Sequence, residues 1–216
     1  MITKIFLIRH PETNYSREKR YCGITDIPLN NAGISQARKL SNFFENIRVD
    51  ALYSSPQRRA SQAAEILFGR KSRIILADSL RELNFGVFEG LTYEKLLKEY
   101  PKEYKLWLKS PLNTKPPCGE SFLDLKKRVV KFYQNILQKD KGSNIAIVSH
   151  GGPIRVILCK ALNLSLADFW NFKVKPAGIS YLAYEGRDLV NFSLNMVSRM
   201  QIKSLAKLRD PDGYPD

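Results

Sequence analysis

Two short apolar runs, far apart in the chain, each end in a histidine, and these are the only two histidines among 216 residues. Residues 4–8 (Lys-Ile-Phe-Leu-Ile) lead into Arg9-His10 and a polar stretch reaching Arg20. Residues 144–148 (Asn-Ile-Ala-Ile-Val) lead into Ser149-His150-Gly151-Gly152-Pro153 and then an apolar helix expected over 154–162. Runs that are apolar on both faces suit strands buried in a parallel sheet, where helices cover each side. In open sheets of that kind ligands bind outside the carboxyl ends of the strands. The pattern therefore predicts two imidazoles on one functional edge.

The intervening chain alternates in period. Helical spacing runs over 30–44 (Ile34, Ala37, Leu40, Ser41, Phe44) and over 58–68 (Ala60, Ala63, Ala64, Leu67), with short strands predicted at 51–54 and 74–76. A long helix is expected from Ser121, with Asp124 completing a capping box and Phe122, Leu125, Val129, Phe132 and Ile136 as its buried stripe. Residues 179–184 and 189–194 read as strands of a hairpin around Glu185-Gly186-Arg187-Asp188. Strands separated by helices of this length predict an α/β fold, a three-layer sandwich with a mostly parallel central sheet. The proline-broken stretch from Arg81, rich in Lys, Glu, Tyr and Trp, reads as a small, mainly helical insertion over the active site, at about 81–120. One domain is expected over 1–216, closing in a basic tail at about 196–216.

At 44% hydrophobic and 26% charged, the composition excludes disordered and collagen-like classes. No apolar run approaches the roughly 18 residues of a membrane span. Three scattered cysteines, Cys22, Cys118 and Cys159, form no C-x-x-C pair and suit a reducing cytoplasm. The histidine spacing offers no zinc pattern, so no metal is expected. A net charge of +14 favours anionic partners. The tail residues Arg199, Lys203, Lys207 and Arg209 leave open a second class of function, a basic binding protein of little or no catalytic activity. Aromatic residues of the kind that stack bases are not interleaved there, so no nucleic-acid partner is expected, and no membrane. The terminal strands and tail offer surfaces for a homodimer.

Arg9 adjoins the first histidine, while Arg58 and Arg59 follow the strand at 51–54. Guanidinium forks match the oxygens of a phosphate, and two converging on one strand edge make a dianion clamp. Neighbours on a helix point about 100° apart, so only one of Arg58 and Arg59 can face the edge.

With these residues in place the chain resembles the histidine phosphatase (phosphoglycerate mutase-like) superfamily, from Lys4 to about Leu194. Five motifs carry the likeness: Leu7-Ile8-Arg9-His10-Pro11-Glu12-Thr13; residues 21–29 from Tyr21-Cys22-Gly23; residues 54–62 with Arg58-Arg59-Ala60; residues 80–90 with Arg81-Glu82-Leu83; and Val148-Ser149-His150-Gly151-Gly152. The resemblance implies that His10 is the nucleophile that becomes phosphohistidine, and that Arg9, Arg59 and His150 bind the transferred group. It implies Glu82 as proton donor and acceptor, and places Ser16, Cys22, Gly23 and Gly151 against phosphate or substrate. It selects Arg59 over Arg58.

The implied activity is that of a metal-independent phosphomonoesterase, with no cofactor, a small phosphorylated substrate and inorganic phosphate as product. Members like α-ribazole phosphatase and metal-independent phosphoserine phosphatase are the nearer branch, and a phosphoglycerate mutase using the same intermediate is the alternative. The residue types suit the chemistry. An imidazole attacks phosphorus only when neutral, and flanking guanidinium groups disfavour its protonated form. Charge on the transferred group would be met by Arg9, Arg59 and a protonated His150. Pro11 stands where the family usually has Gly, removing an N–H but keeping the carbonyl. Ser16 stands where many members have Asn, and Cys118 replaces a common Gly. Tyr93, Tyr100, Tyr104 and Trp107 are candidates for lining a specificity pocket or packing the insertion's own core.

Overall fold

A computed structural model describes residues 1–69 and 72–196. The strands are β1 (Ile2–Arg9), β2 (Ala51–Ser54), β3 (Ile74–Leu76), β4 (Asn144–Ser149), β5 (Ile179–Glu185) and β6 (Asp188–Met196). They form one six-stranded sheet in the order β3-β2-β4-β1-β5-β6. The first four are mutually parallel where they pair, while β5 runs antiparallel to β1 and to β6. The expected mostly parallel α/β sandwich is what forms. β1 lies in register with β4, Arg9 opposite Ser149, so the two chain segments leave the sheet side by side.

The helices are α1 (Asn14–Arg17), α2 (Asn31–Phe44), α3 (Arg58–Phe68), α4 (Tyr93–Glu99), α5 (Pro101–Lys109), α6 (Phe122–Lys139) and α7 (Gly151–Ala161). Because strand side chains alternate faces, β1 sends Phe6 and Ile8 toward a core shared with α2 and α3, and Ile5 and Leu7 toward one shared with α6 and α7. β4 divides likewise, with Ala146 and Val148 on one face and Ile145 and Ile147 on the other. Both faces are dry, which is why these runs carry no polar alternation. Burying one such Ile or Leu is worth about 1.5–3 kcal/mol.

Several boundaries differ from expectation for identifiable reasons. α7 begins at Gly151, three residues before the predicted start, because Pro153 falls in the first turn, where a missing N–H breaks no helical hydrogen bond. In α6 the capping box of Ser121 and Asp124 is present, but Tyr133 is buried and Phe132 is only half-buried, packing its edge on Tyr53. Tyr133 is drawn inward by a hydrogen bond to the Tyr184 hydroxyl (2.6 Å). The β5–β6 hairpin pairs Glu185 with Asp188, and Gly186 at φ +64 supplies the left-handed turn position. The basic tail lies outside the described residues, apart from Met196.

Between β3 and α6 the chain makes short 3₁₀ turns at Asp78–Leu80 and Gly86–Phe88 and the helices α4 and α5. A further 3₁₀ segment, Leu166–Asn171, follows α7. Among the described residues no helix is long and apolar enough to cross a membrane.

Candidate active site

β1 delivers Arg9 and His10, and β4 delivers His150, to the same sheet edge. The imidazole centroids are 5.0 Å apart at an interplanar angle of 62°, so the rings meet edge-on rather than face to face. Both are buried, His10 with 6% of its surface exposed and His150 with none. Burial, reinforced by the Arg59 and Arg9 charges, holds the His10 imidazole well below its ordinary pKa. Burial does the same at His150, with Arg59, His10 and Arg9 contributing.

Hydrogen bonds then set each ring's tautomer. His10 Nδ1 lies 2.8 Å from the Pro11 carbonyl, which can only accept. Nδ1 therefore carries the proton, and Nε2 keeps a lone pair. At His150 the assignment reverses. Arg59 Nε donates to Nδ1 (3.2 Å), so the proton sits on Nε2 and is donated to Ser55 Oγ (2.8 Å). The expected protonated His150 is thus not what the site holds: a guanidinium N–H occupies the nitrogen that a second proton would need.

Arg59, on α3, is fully buried, whereas Arg58 is exposed. Its guanidinium donates to Thr25 O (2.8 Å), Gly23 O (2.7 Å) and Cys22 O (3.4 Å) as well as to His150. The arginine clasps the 22–25 loop and leaves little of its fork for a ligand. Arg9 is different. Its Nη1 donates to Val174 O (2.6 Å), but its Nε is buried with no partner. An unpaired buried charged donor carries a desolvation penalty that an anion at the site would relieve.

Glu82 reaches the edge from the segment after the Asp78–Leu80 turn. Both carboxylate oxygens accept from the Gly152 N–H (3.1 Å each), and Oε1 also accepts from Leu83 N–H. A Cβ on residue 152 would fall 2.2 Å from Glu82 Oε1, so glycine there permits the approach. Arg128 of α6, paired with Glu120 at 2.7 Å, donates to the carbonyls of Ser79, Arg81 and Glu82 and pins this segment. Gly151 opens α7 beside two guanidinium groups, with a Cβ there lying 3.3 Å from Arg155 Nη1 and 3.7 Å from Arg9 Cζ. Of the N–H groups in this first turn, that of Gly152 goes to Glu82, Pro153 has none and that of Ile154 goes to His150 O, which leaves the Gly151 N–H to add to this anion-attracting corner.

The remaining sequence-selected residues are placed less directly. Gly23 gives its N–H to Glu89 (3.0 Å) and its carbonyl to Arg59 and Gln57. Cys22 is half-buried, its thiol pushed up to about 11 mainly by burial. Ser16 is not brought to the anion corner by any hydrogen bond: its hydroxyl closes a capping box with Thr13 at the start of α1, donating to Thr13 O and accepting from Thr13 N–H. Cys118 is exposed. No group of three His, Cys, Asp or Glu residues among those described could hold a metal ion.

Four residues escaped sequence reasoning. Gln57, fully buried, ties the loops together by accepting from Glu82 N–H (2.9 Å) and donating to Gly23 O (2.5 Å). Ser55 accepts the His150 Nε2–H, Glu89 gathers the N–H groups of residues 23–25, and Arg155 joins Glu82 at the site. Gln57 and Ser55 stand inside the run around Arg59, a signal that could have flagged them. Beside Glu82 opens a cavity of about 480 Å³. Of the four aromatic candidates only Trp107 lines it; Tyr104 is core, Tyr93 is exposed, and Phe169 and Trp170 arrive instead from the Leu166–Asn171 segment.

Comparison with known proteins adds an independent line. The model of the histidine phosphatase superfamily (branch 1) matches residues 5–196. Phosphoserine phosphatase 1 of Hydrogenobacter thermophilus is 28% identical over 200 residues, covering 92% of this chain and 95% of that protein. The crystal structure of the α-ribazole phosphatase from Shigella flexneri superposes with a TM-score of 0.85 at 26% identity, over 90% of this chain and 97% of that one. A phosphoserine phosphatase variant from Entamoeba histolytica, solved with phosphoserine, gives a TM-score of 0.77 at 28% identity, over 89% and 96%.

Proposed function

The chain belongs to the histidine phosphatase superfamily, branch 1, and is an enzyme of the phosphatase kind; on that footing we propose that it hydrolyses a small phosphomonoester through a phosphohistidine on His10, without a metal ion. The observation that carries this reading is the pairing of a buried His10, neutral and with its Nε2 lone pair uncommitted, with a buried Arg9 Nε that has no partner. One group is built to attack and its neighbour to receive an anion.

In the first half-reaction His10 Nε2 attacks phosphorus and the bond to the ester oxygen breaks. The leaving oxygen takes the proton of a protonated Glu82, and the alcohol departs. Positive charge developing on the His10 ring is met through Nδ1–H by the Pro11 carbonyl, so the family's glycine amide is not needed for this contact. Arg9 and the start of α7 stabilise the equatorial oxygens, and Arg59 contributes mainly by its charge. In the second half-reaction water attacks the phosphoryl group, gives a proton to the Glu82 carboxylate, and His10 leaves with its lone pair restored. His150 acts here as a neutral Nε2–H donor held by Arg59, its N–H shared between Ser55 Oγ and a phosphoryl oxygen when the anion binds.

The test is to mix enzyme with a radiolabelled phosphomonoester and quench in alkali, where an N–P bond survives. Label should remain on wild type in the presence of EDTA and be missing from His10→Ala. Label on another side chain, or turnover lost with EDTA, would overturn the proposal. Release of phosphate faster than its transfer to 3-phosphoglycerate separates this activity from a mutase.

A further inference from the structure

We infer that the alcohol half of the substrate carries a planar aromatic ring, an inference that rests on the phosphatase reading and assigns the part of the ester that reading leaves open. The cavity beside Glu82 is walled by a continuous arc of aromatic side chains. Tyr21 meets Phe85 at 5.0 Å between centroids, Phe85 meets Trp107 at 6.2 Å, and Trp107 stacks on Phe122 at 6.2 Å and 22°. Phe122 in turn meets Phe169 at 5.0 Å and Trp170 at 5.2 Å. Leu108 and Trp170 complete the rim, with 44% and 48% of their surface still in contact with water.

The polar groups on the lining are few, among them the Tyr21 hydroxyl, the Trp107 indole N–H, Glu82 and Arg155. The Tyr21 hydroxyl is bonded to the Tyr104 hydroxyl (2.7 Å) and so is already engaged. Glu82 stands at the foot beside Gly152, where the leaving oxygen must be protonated. Arg155 lies there too, its Nε bonded to Phe172 O, its Nη1 directed to Gly151 near Arg9, and its guanidinium over the Phe169 ring at 5.4 Å, so its charge borders both the anion corner and that end of the wall. A ligand matching this lining has a phosphate at the foot and a flat apolar body against the arc. A group the size of serine would leave most of the roughly 480 Å³ to water and the rings wet. Aromatic ligands gain from ring-to-ring contact beyond the area they bury.

The experiment compares three esters with similar alkoxide leaving groups: 2-phenylethyl phosphate, ethyl phosphate and phosphoserine. We expect kcat/KM for 2-phenylethyl phosphate to exceed the other two by about tenfold or more, the range a filled apolar pocket gives. Trp170→Ala, at a rim position that is half-exposed, should lower the phenylethyl-to-ethyl ratio several-fold; Leu108→Ala serves as a second variant if the first unfolds. Equal kcat/KM values, or a preference for phosphoserine, would overturn the inference while leaving the phosphatase reading standing. If no ester is turned over, that reading fails separately. The inference is then decided by calorimetric affinities of the same esters for the protein, a tenfold tighter phenylethyl ester supporting it and equal affinities refuting it.

Discussion

β1 and β4 lie side by side in register, each ends in a buried histidine, and yet the two rings hold their protons on opposite nitrogens. His10 faces a carbonyl acceptor contributed by the next residue, whereas His150 faces a guanidinium donor contributed by a helix 91 residues away. The first ring is left with a lone pair at Nε2, and the second is left with an N–H. A shared backbone layout thus places two imidazoles, and on the proposed mechanism the hydrogen-bond partners on Nδ1 divide their work into nucleophile and donor.

That division predicts unequal losses. His10→Ala should lower kcat by at least about 10⁴-fold, as expected when a nucleophile is removed. His150→Ala should lower it by about 10²–10³-fold, the range for one lost transition-state donor, while still forming a phosphoenzyme. Equal losses, or no phosphoenzyme in His150→Ala, would break the comparison. Next in size is Glu82→Gln, expected to reduce kcat about 10²–10⁴-fold on an alkyl phosphate. The deficit should shrink in the phosphorylation step with 4-nitrophenyl phosphate, whose phenolate leaves without a proton, and an unchanged deficit in burst kinetics would remove Glu82 from the acid role.

Stability should also follow the two rings. Both have folded pKa values lowered from about 6.5, so below that pH the unfolded chain binds more protons than the folded one. Stability contributed by neutral His10 and His150 is then present above about pH 6.5 and is lost as pH falls toward the folded pKa values, by up to about 1.4 kcal/mol per pH unit for each ring. Urea unfolding between pH 7 and pH 5 measures it, and the slope should be smaller in His150→Ala. A flat profile in wild type would mean the rings protonate without opposition. The smallest effect is expected from Ser55→Ala, which leaves the buried His150 Nε2–H without an acceptor and should cost about 1–3 kcal/mol. An unchanged urea midpoint would indicate that this bond does not set the ring.

The strands at 51–54 and 74–76 and the helix at 58–68 match their predicted limits, because their hydrophobic period and their flanking turns are written in adjacent residues. Less was legible where a local pattern competes with a distant partner. Tyr133 takes the buried place expected of Phe132 through its bond to Tyr184, 51 residues on. The Leu166–Asn171 segment is a single short 3₁₀ stretch with too few residues to show a period, so Phe169 and Trp170 could not be assigned to the cavity in advance. The pairing of a fully buried Gln57 with both Glu82 and Gly23 joins three separate segments and leaves no periodic trace.

From the amino-acid order alone follow the layered α/β plan, the edge on which His10, His150 and the arginines gather, and the family resemblance that names their roles. Those depend on period, turn residues and short motifs, which are interactions between near neighbours. The tertiary structure alone decided which nitrogen of each imidazole carries the proton, which arginine is closed around a loop and which has a free donor, and that the cavity wall is aromatic. Apart from the Pro11 carbonyl beside His10, these are set by hydrogen-bond or ring partners tens of residues away, and direction in a hydrogen bond exists only once both partners are in place.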